Sequence, residues 1–324
     1  MGACSSLGKR TITLDNGYKV KIQTQIAEGG YSYIYRVREK KGKSLCLKRI
    51  PAGDTDQFNN AQTELKMFKL LIGKAGFLPL LASKTHTPKS KKKNKNKTDA
   101  KTANSNNNKN NNNNECSVLL LFPLMKHSLF TLIVDLKHQT THPIQDQNEA
   151  VRIIKSVAEA VGVLHSLGYI HGDLKPQNIL LDEKNKPLLC DLASCRPLER
   201  TPMNRSEAIE IQDDAERYCT ASYRPPELHD VKTRETLDGK VDVFGLGCSL
   251  YFILVGKNPF DGPDGALVKL GLMAGTFSYP EECKGRLDKA VRNLIKGMLK
   301  ADPKKRVSVK ATVAKCEKIL GNKT

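Results

Sequence analysis

The 324-residue sequence has no tryptophan, no CxxC pair and no Cys/His cluster at zinc spacing. Its nine cysteines are scattered and odd in number. That suits a reducing compartment and small core residues, and excludes a disulfide framework or a zinc module. A membrane-length apolar run is also missing. The longest, VFGLGCSLYFILV from Val243 to Val255, falls short of the roughly 18 residues a span needs and reads as a buried helix. Met1 to Arg10 lack the apolar core of a secretory signal. What remains is ordinary for a folded protein, with 39% hydrophobic and 27% charged residues, so wholesale disorder is not expected. The length suffices for one large core or two packed lobes.

The net charge of +19 is unevenly spread. Residues 84–115, KTHTPKSKKKNKNKTDAKTANSNNNKNNNNNE, hold nine lysines against Asp99 and Glu115, followed by an asparagine tract. With almost nothing apolar to bury, this stretch is expected to be a disordered insertion. A basic tether to anionic lipid or nucleic acid is one reading. A tolerated surface loop is the preferred one, because loop length costs little entropy. No aromatics interleave with the lysines, so no specific nucleic-acid partner is expected.

The first residues, MGACSS, fit M-G-x-x-x-[ST], with Gly2 as a myristoyl acceptor and Cys4 placed for a palmitoyl chain. Two acyl chains give stable attachment where one gives only marginal binding. The alternative is an unmodified terminus. Residues 1–10 are therefore expected to be a lipidated segment that carries the chain to a membrane.

From Thr11 the pattern is strand-like. ITLDNGYKVKI places Asn16-Gly17 between alternating apolar residues, a hairpin signal. Short strands follow within Gln25 to Arg38 and over Ser44 to Ile50, then a helix over Asn60 to Ile72 with Leu65, Phe68, Leu71 and Ile72 on one face. Val118 to Phe122 reads as a strand. Beyond His127 the chain turns helical: Glu149 to His165 has an apolar stripe, and Asp242 to Val255 is apolar nearly all round and stops at Gly256. Ser206 to Arg217 is a further candidate helix. The expected class is α+β, with a β-rich lobe over about 11–122 and a larger α-rich lobe over about 127–320.

Several polar motifs are set in this frame. AEGGYSYIYRV lies between two strands, where the backbone of Gly29 and Gly30 offers close approach to phosphates. Ala27 and Ser32 replace the outer glycines of G-x-G-x-x-G, so an ordinary glycine hairpin competes with that reading. Lys48 ends the strand SLCLK, and Glu64 follows on the next helix. HGDLKPQN from His171 to Asn178 is followed by Asp191 thirteen residues later. A polar octet between two apolar stretches is poorly explained as an incidental loop.

Together with CDLAS, CTASYRPPEL, KVDVFGLGCSLY and ADPKKR, these motifs resemble a eukaryotic protein kinase of the Numb-associated kinase family. The resemblance runs from Met1 to Arg306 apart from the Lys/Asn insertion. It implies a two-lobed kinase domain over 11–324 that uses ATP and Mg2+ to phosphorylate Ser/Thr hydroxyls of protein substrates. Asp173 and Lys175 would be catalytic, and Asn178 and Asp191 would hold metal. Ala27, Glu28, Gly29, Gly30, Tyr31, Ser32, Lys48, Glu64 and Cys190 would contact ATP. Thr220 would position Asp173 and Lys175, Glu227 would pair with Arg306, and Asp242 would brace the catalytic loop. Thr220 also reads as a plain loop hydroxyl or phosphosite, and Cys190 as an inert buried thiol. Family members associate with Golgi and vesicle membranes, which implies the cytosolic face of such membranes.

Two departures from the kinase pattern raise the alternative of a nucleotide-binding pseudokinase scaffold. Gly172 stands where an arginine is usual, and Leu192-Ala193 where Phe-Gly is usual. The missing arginine removes a regulatory phosphate site rather than a catalytic group. Leu192 keeps an apolar plug, and every charged group assigned to phosphate or metal is present. The expectation is an active enzyme that does not require activation-loop phosphorylation.

Overall fold

Asn16 and Gly17 turn the chain between β1 (Thr11–Thr13) and β2 (Lys19–Gly29), which pair antiparallel with Thr11 opposite Lys21. Leu14 N–H donates to the carbonyl of Tyr18 (2.9 Å) and Gly17 N–H to that of Leu14 (3.0 Å), closing the hairpin. A computed structural model describes residues 11–29, 32–86, 116–139, 146–262, 264–283 and 285–321. One compact unit comprises the described residues up to Lys66 together with Leu80–Leu124. The other comprises Met67–Pro79 and the chain from Met125 onward.

In the first unit, β3 (Ser32–Glu39), β4 (Ser44–Ala52), β5 (Ala82–His86) and β6 (Cys116–Pro123) complete a six-stranded sheet of order β1-β2-β3-β4-β6-β5. Bulges between Ile22 and Thr24 and between Gln25 and Ala27 shift the β2–β3 register and bend the ribbon. Val20, Ile22, Val37, Leu45, Leu47 and Leu121 form its core. In β6, Ser117 to Phe122 is buried without alternation, as expected of a strand covered on both faces.

Helix α1 (Thr55–Leu70) starts five residues earlier than periodicity suggests, because the Asp54 carboxylate accepts from Gln57 N–H (2.8 Å) as an N-terminal cap. It ends before Ile72, which is 64% exposed instead of joining Leu65, Phe68 and Leu71. Lys84 to His86, expected as the start of the insertion, are strand residues of β5, paired with Leu119 to Ser117. The rest of that insertion, the acyl-acceptor candidates Gly2 and Cys4, and Gly30 and Tyr31 lie outside the described residues.

The second unit begins with the short strand β7 (His127–Ser128), α2 (Leu129–Gln139) and α3 (Gln147–Ser166). Asp146 caps α3 by accepting from Asn148 N–H (2.8 Å), and Val151, Ile154, Val157, Ala158, Val161 and Leu164 are buried along its stripe. Strands β8 (Tyr169–Ile170), β9 (Ile179–Leu181), β10 (Pro187–Leu189) and β11 (Arg196–Pro197) frame the polar motifs. Helices α4 (Arg205–Tyr218), α5 (Pro226–His229), α6 (Lys240–Val255), α7 (Lys269–Ala274), α8 (Lys289–Met298) and α9 (Val309–Gly321) follow. Helix α6 is buried from Val241 to Leu254. Gly245 lets its backbone press against the loop from His171 to Asn178: a Cβ there would sit 2.6 Å from the carbonyl oxygen of Leu174. No helix among the described residues is long and apolar enough to cross a membrane.

Candidate active site

In the first unit, Lys48 lies in the middle of the sheet, with Ile34 opposite on β3 and Leu120 on β6. Its ammonium donates to Glu64 Oε1 on α1 at 2.7 Å. Glu64 is 1% exposed. A carboxylate this deeply buried is stabilised by the paired ammonium. Burial pushes the nearby Cys46 thiol up to about 11 although Lys48 pulls it down, so this cysteine stays protonated at neutral pH. Ala27, Glu28, Gly29 and Ser32 stand where β2 meets β3, with Gly29 opposite Ser32.

In the second unit, the loop from His171 to Asn178 is held from below by Asp242 of α6. That carboxylate is 1% exposed. It accepts from the backbone N–H groups of His171 (2.8 Å) and Gly172 (3.0 Å) and from His165 Nε2 (2.8 Å). Burial alone would raise its pKa. The His165 hydrogen bond, the His165 and His171 charges and the Gly172 amide outweigh burial and hold the carboxyl below its ordinary range. His171 in turn points Nε2 at the carbonyl of Cys190 (3.2 Å), while its Nδ1 accepts from Asp173 N–H (3.4 Å).

Asp173 is the focus of this loop. Its Oδ1 accepts from Thr220 N–H at 2.9 Å, and its Oδ2 lies 2.7 Å from Lys175 Nζ and 3.3 Å from Asn178 Nδ2. Lys175 also donates to Thr220 Oγ1 (2.6 Å), and Asn178 Nδ2 to the Asp173 carbonyl (2.9 Å). Asp173, Lys175, Asn178 and Thr220 are thus brought together. A carboxylate can accept about four hydrogen bonds, so Asp173 keeps capacity for a substrate hydroxyl.

Asn178 spends its amide donors on Asp173. The Cys190 N–H and Sγ both donate to the backbone carbonyl of Asn178 (3.0 and 3.4 Å), tying Asn178 to the residue before Asp191. Asp191 has left-handed backbone (φ 59°, ψ 71°), a strained conformation of the kind found at functional sites. A carboxylate and an amide oxygen suit a hard divalent cation that completes its shell with nucleotide oxygens and water. Among the described residues no three His, Cys, Asp or Glu side chains cluster as an all-protein metal cage. Leu192 follows, fully buried.

Gly172 has φ +83°, and a Cβ there would collide with the Ser194 carbonyl oxygen. The backbone thus penalises any side chain at this position, a broader statement than the loss of one arginine. Farther along, Arg306 grips Glu227 with two bonds (2.6 and 2.9 Å) and donates to the carbonyls of Lys240, Lys300 and Ala301. Four residues at this site carry no signal in the sequence reading: His165, Arg196, Arg200 and Asp214. Arg196 on β11 and Asp214 on α4 are bonded across 18 residues, and no pattern within one element links residues of two different elements.

A comparison with known families matches residues 80–316 to the protein kinase domain. The chain is 30% identical over 310 residues to serine/threonine-protein kinase 16 of Mus musculus, covering 95% of this chain and 92% of that protein. It is 29% identical over 311 residues to the same-named protein of Homo sapiens, with the same coverage. Serine/threonine-protein kinase ENV7 of Saccharomyces cerevisiae is 33% identical over 141 residues, 43% of this chain and 38% of that protein.

Proposed function

Since the chain belongs to the protein kinase family and is a protein serine/threonine kinase, we propose that it works with Mg2+, needs no activation-loop phosphate, and acts at the cytosolic face of Golgi or vesicle membranes. Kinase chemistry brings with it ATP, a divalent cation and protein substrates.

The observation that carries the catalytic reading is the convergence on Asp173 of Lys175, Asn178 and Thr220 within 2.7–3.3 Å. In this reading the acceptor Ser/Thr hydroxyl sits against Asp173, which orients it and takes its proton as its oxygen bonds to the γ-phosphorus. Lys175 lends positive charge to the transferring phosphoryl group, and ADP leaves. Thr220 fixes both side chains, so no catalytic group need reorganise during transfer. Lys48, held by Glu64, receives the α- and β-phosphates in this reading. A cation at Asn178 and Asp191 supplies neutralisation of phosphate charge when bound.

Gly172 supports the phosphorylation-independent reading, because its backbone cannot carry the arginine that commonly binds a loop phosphate. The membrane reading rests on Gly2, Cys4 and Ser6. It also rests on the similarity of the N-terminal motif to the myristoylated and palmitoylated serine/threonine kinase.

One preparation tests these points. The full chain, stripped of phosphate by a phosphatase, should still transfer labelled phosphate from MgATP to a serine-containing acceptor, and Asp191→Asn should not. Loss of transfer on stripping would sink the phosphate-free reading alone; equal transfer by Asp191→Asn would sink the assignment of the site. Intact mass of protein made in a eukaryotic cell should carry both acyl additions, and Gly2→Ala should release the protein from membranes. An unmodified mass would end the anchoring proposal.

A further inference from the structure

The segment after Asp191 is organised around one side chain, Arg196 on β11. Its Nε and Nη2 make a two-pronged bond to Asp214 of α4 (2.7 and 2.6 Å). Nη1 donates to the carbonyls of Ala193 (3.1 Å) and Cys195 (3.0 Å), and the guanidinium lies 5.2 Å over the Tyr218 ring. Arg200 brings a second guanidinium to Asp214 at 3.7 Å. Ser194 Oγ adds a bond to the Tyr218 carbonyl (2.8 Å). One arginine therefore ties the turn beyond Asp191 to the last turn of α4. Thr220, two residues beyond the end of α4, makes the contacts to Asp173 and Lys175.

A carboxylate between two guanidiniums offers the forked anion geometry that a phosphate would offer at the same place. Gly172 supplies no arginine from the catalytic loop, and a Cβ there would collide with the Ser194 carbonyl oxygen. The arginine comes instead from the activation segment, and its anion is encoded.

We propose that Arg196 and Asp214 form a built-in clamp, with carboxylate in place of phosphate, which positions the Asp191 turn and Thr220 for transfer; this rests on the reading that the kinase works without activation-loop phosphorylation. Both are positioning residues. Asp214→Asn keeps shape and removes the charge; Arg196→Lys keeps charge and removes the fork.

The test uses the full chain, treated with phosphatase and shown by intact mass to carry no phosphate. Charge-assisted bonds of this kind correspond to about a tenfold loss or more when broken. Asp214→Asn and Arg196→Lys should show that loss in kcat, with KM for ATP and thermal midpoint little changed. Asp214→Glu should recover most of it. Wild-type kcat in Asp214→Asn overturns the clamp, as does a loss that follows the thermal midpoint with no recovery in Asp214→Glu. Should Asp214→Asn fail to fold, Arg196→Lys carries the same decision. If phosphatase silences the wild-type chain, phosphate independence falls by itself. The same variants, assayed as phosphorylated protein, then decide the clamp: full kcat in Asp214→Asn overturns it and a loss upholds it.

Discussion

The loop from His171 to Asn178 and the segment from Asp191 to Thr220 are each held by a carboxylate on a helix, in opposite surroundings. Asp242 is 1% exposed and bonds mainly to backbone amides and a histidine. The Asp214 side chain is 28% exposed and bonds to arginine side chains. The first anchor is part of the core, so the loop exists only in the folded lobe and cannot be released without disrupting it. The second is at the edge of water, where an ion pair adds little to stability but can still set geometry. The His171–Asn178 loop is thus anchored within the core, and the segment after Asp191 at the edge of solvent. Solvent exposure divides stabilising carboxylates from positioning ones.

The largest expected effect removes what both anchors serve. Asp173→Asn should cut kcat about a thousandfold or more with the fold intact, since the amide can neither take the acceptor proton nor pair with Lys175. Circular dichroism and single-turnover phosphate transfer would check it.

Next is Asp242→Asn, which tests the buried side of the contrast. Its NH2 would face N–H donors of His171, Gly172 or His165, so the unfolding free energy should fall about 3 kcal/mol. The contrast fails if chemical denaturation shows Asp242→Asn to be no more destabilising than Asp214→Asn.

Gly172→Arg comes third. Restoring the usual kinase residue should destabilise the fold by about 2–3 kcal/mol, from left-handed backbone and the collision with Ser194. A variant that melted with the wild type would show that this position tolerates a side chain.

The smallest effect is on acid stability. The Asp242 carboxyl is held below its ordinary value in the folded chain, burial opposing and His165 prevailing. Its contribution is therefore fully present above the unfolded carboxylate pKa of about 4, and is lost as pH falls through the lower folded value. Denaturant titrations across that window should show Asp242→Asn with a flatter acid limb than the wild type.

Much of this was legible before any fold was known. The Asn16-Gly17 hairpin, the α3 stripe and the all-round apolar α6 are local periodicities, and the structure has them within a few residues. Helix α1 was read short because its cap, Asp54, lies outside the apolar pattern. Ile72 fits the apolar pattern of its face, but the helix ends at Leu70. The partnership of Glu227 with Arg306, 79 residues apart, was suggested only by resemblance. The role of Arg196 was not suggested at all.

The sequence by itself determined the chemistry available: the octet HGDLKPQN, Asp191 and Lys48 name the reaction class because short motifs keep reactive groups at local spacings. Only tertiary structure decided why Gly172 must be glycine, since its obstacle is a carbonyl 22 residues away, and which carboxylate answers Arg196. Both depend on backbone from distant elements being brought within a few ångströms, and no periodicity along the chain records that.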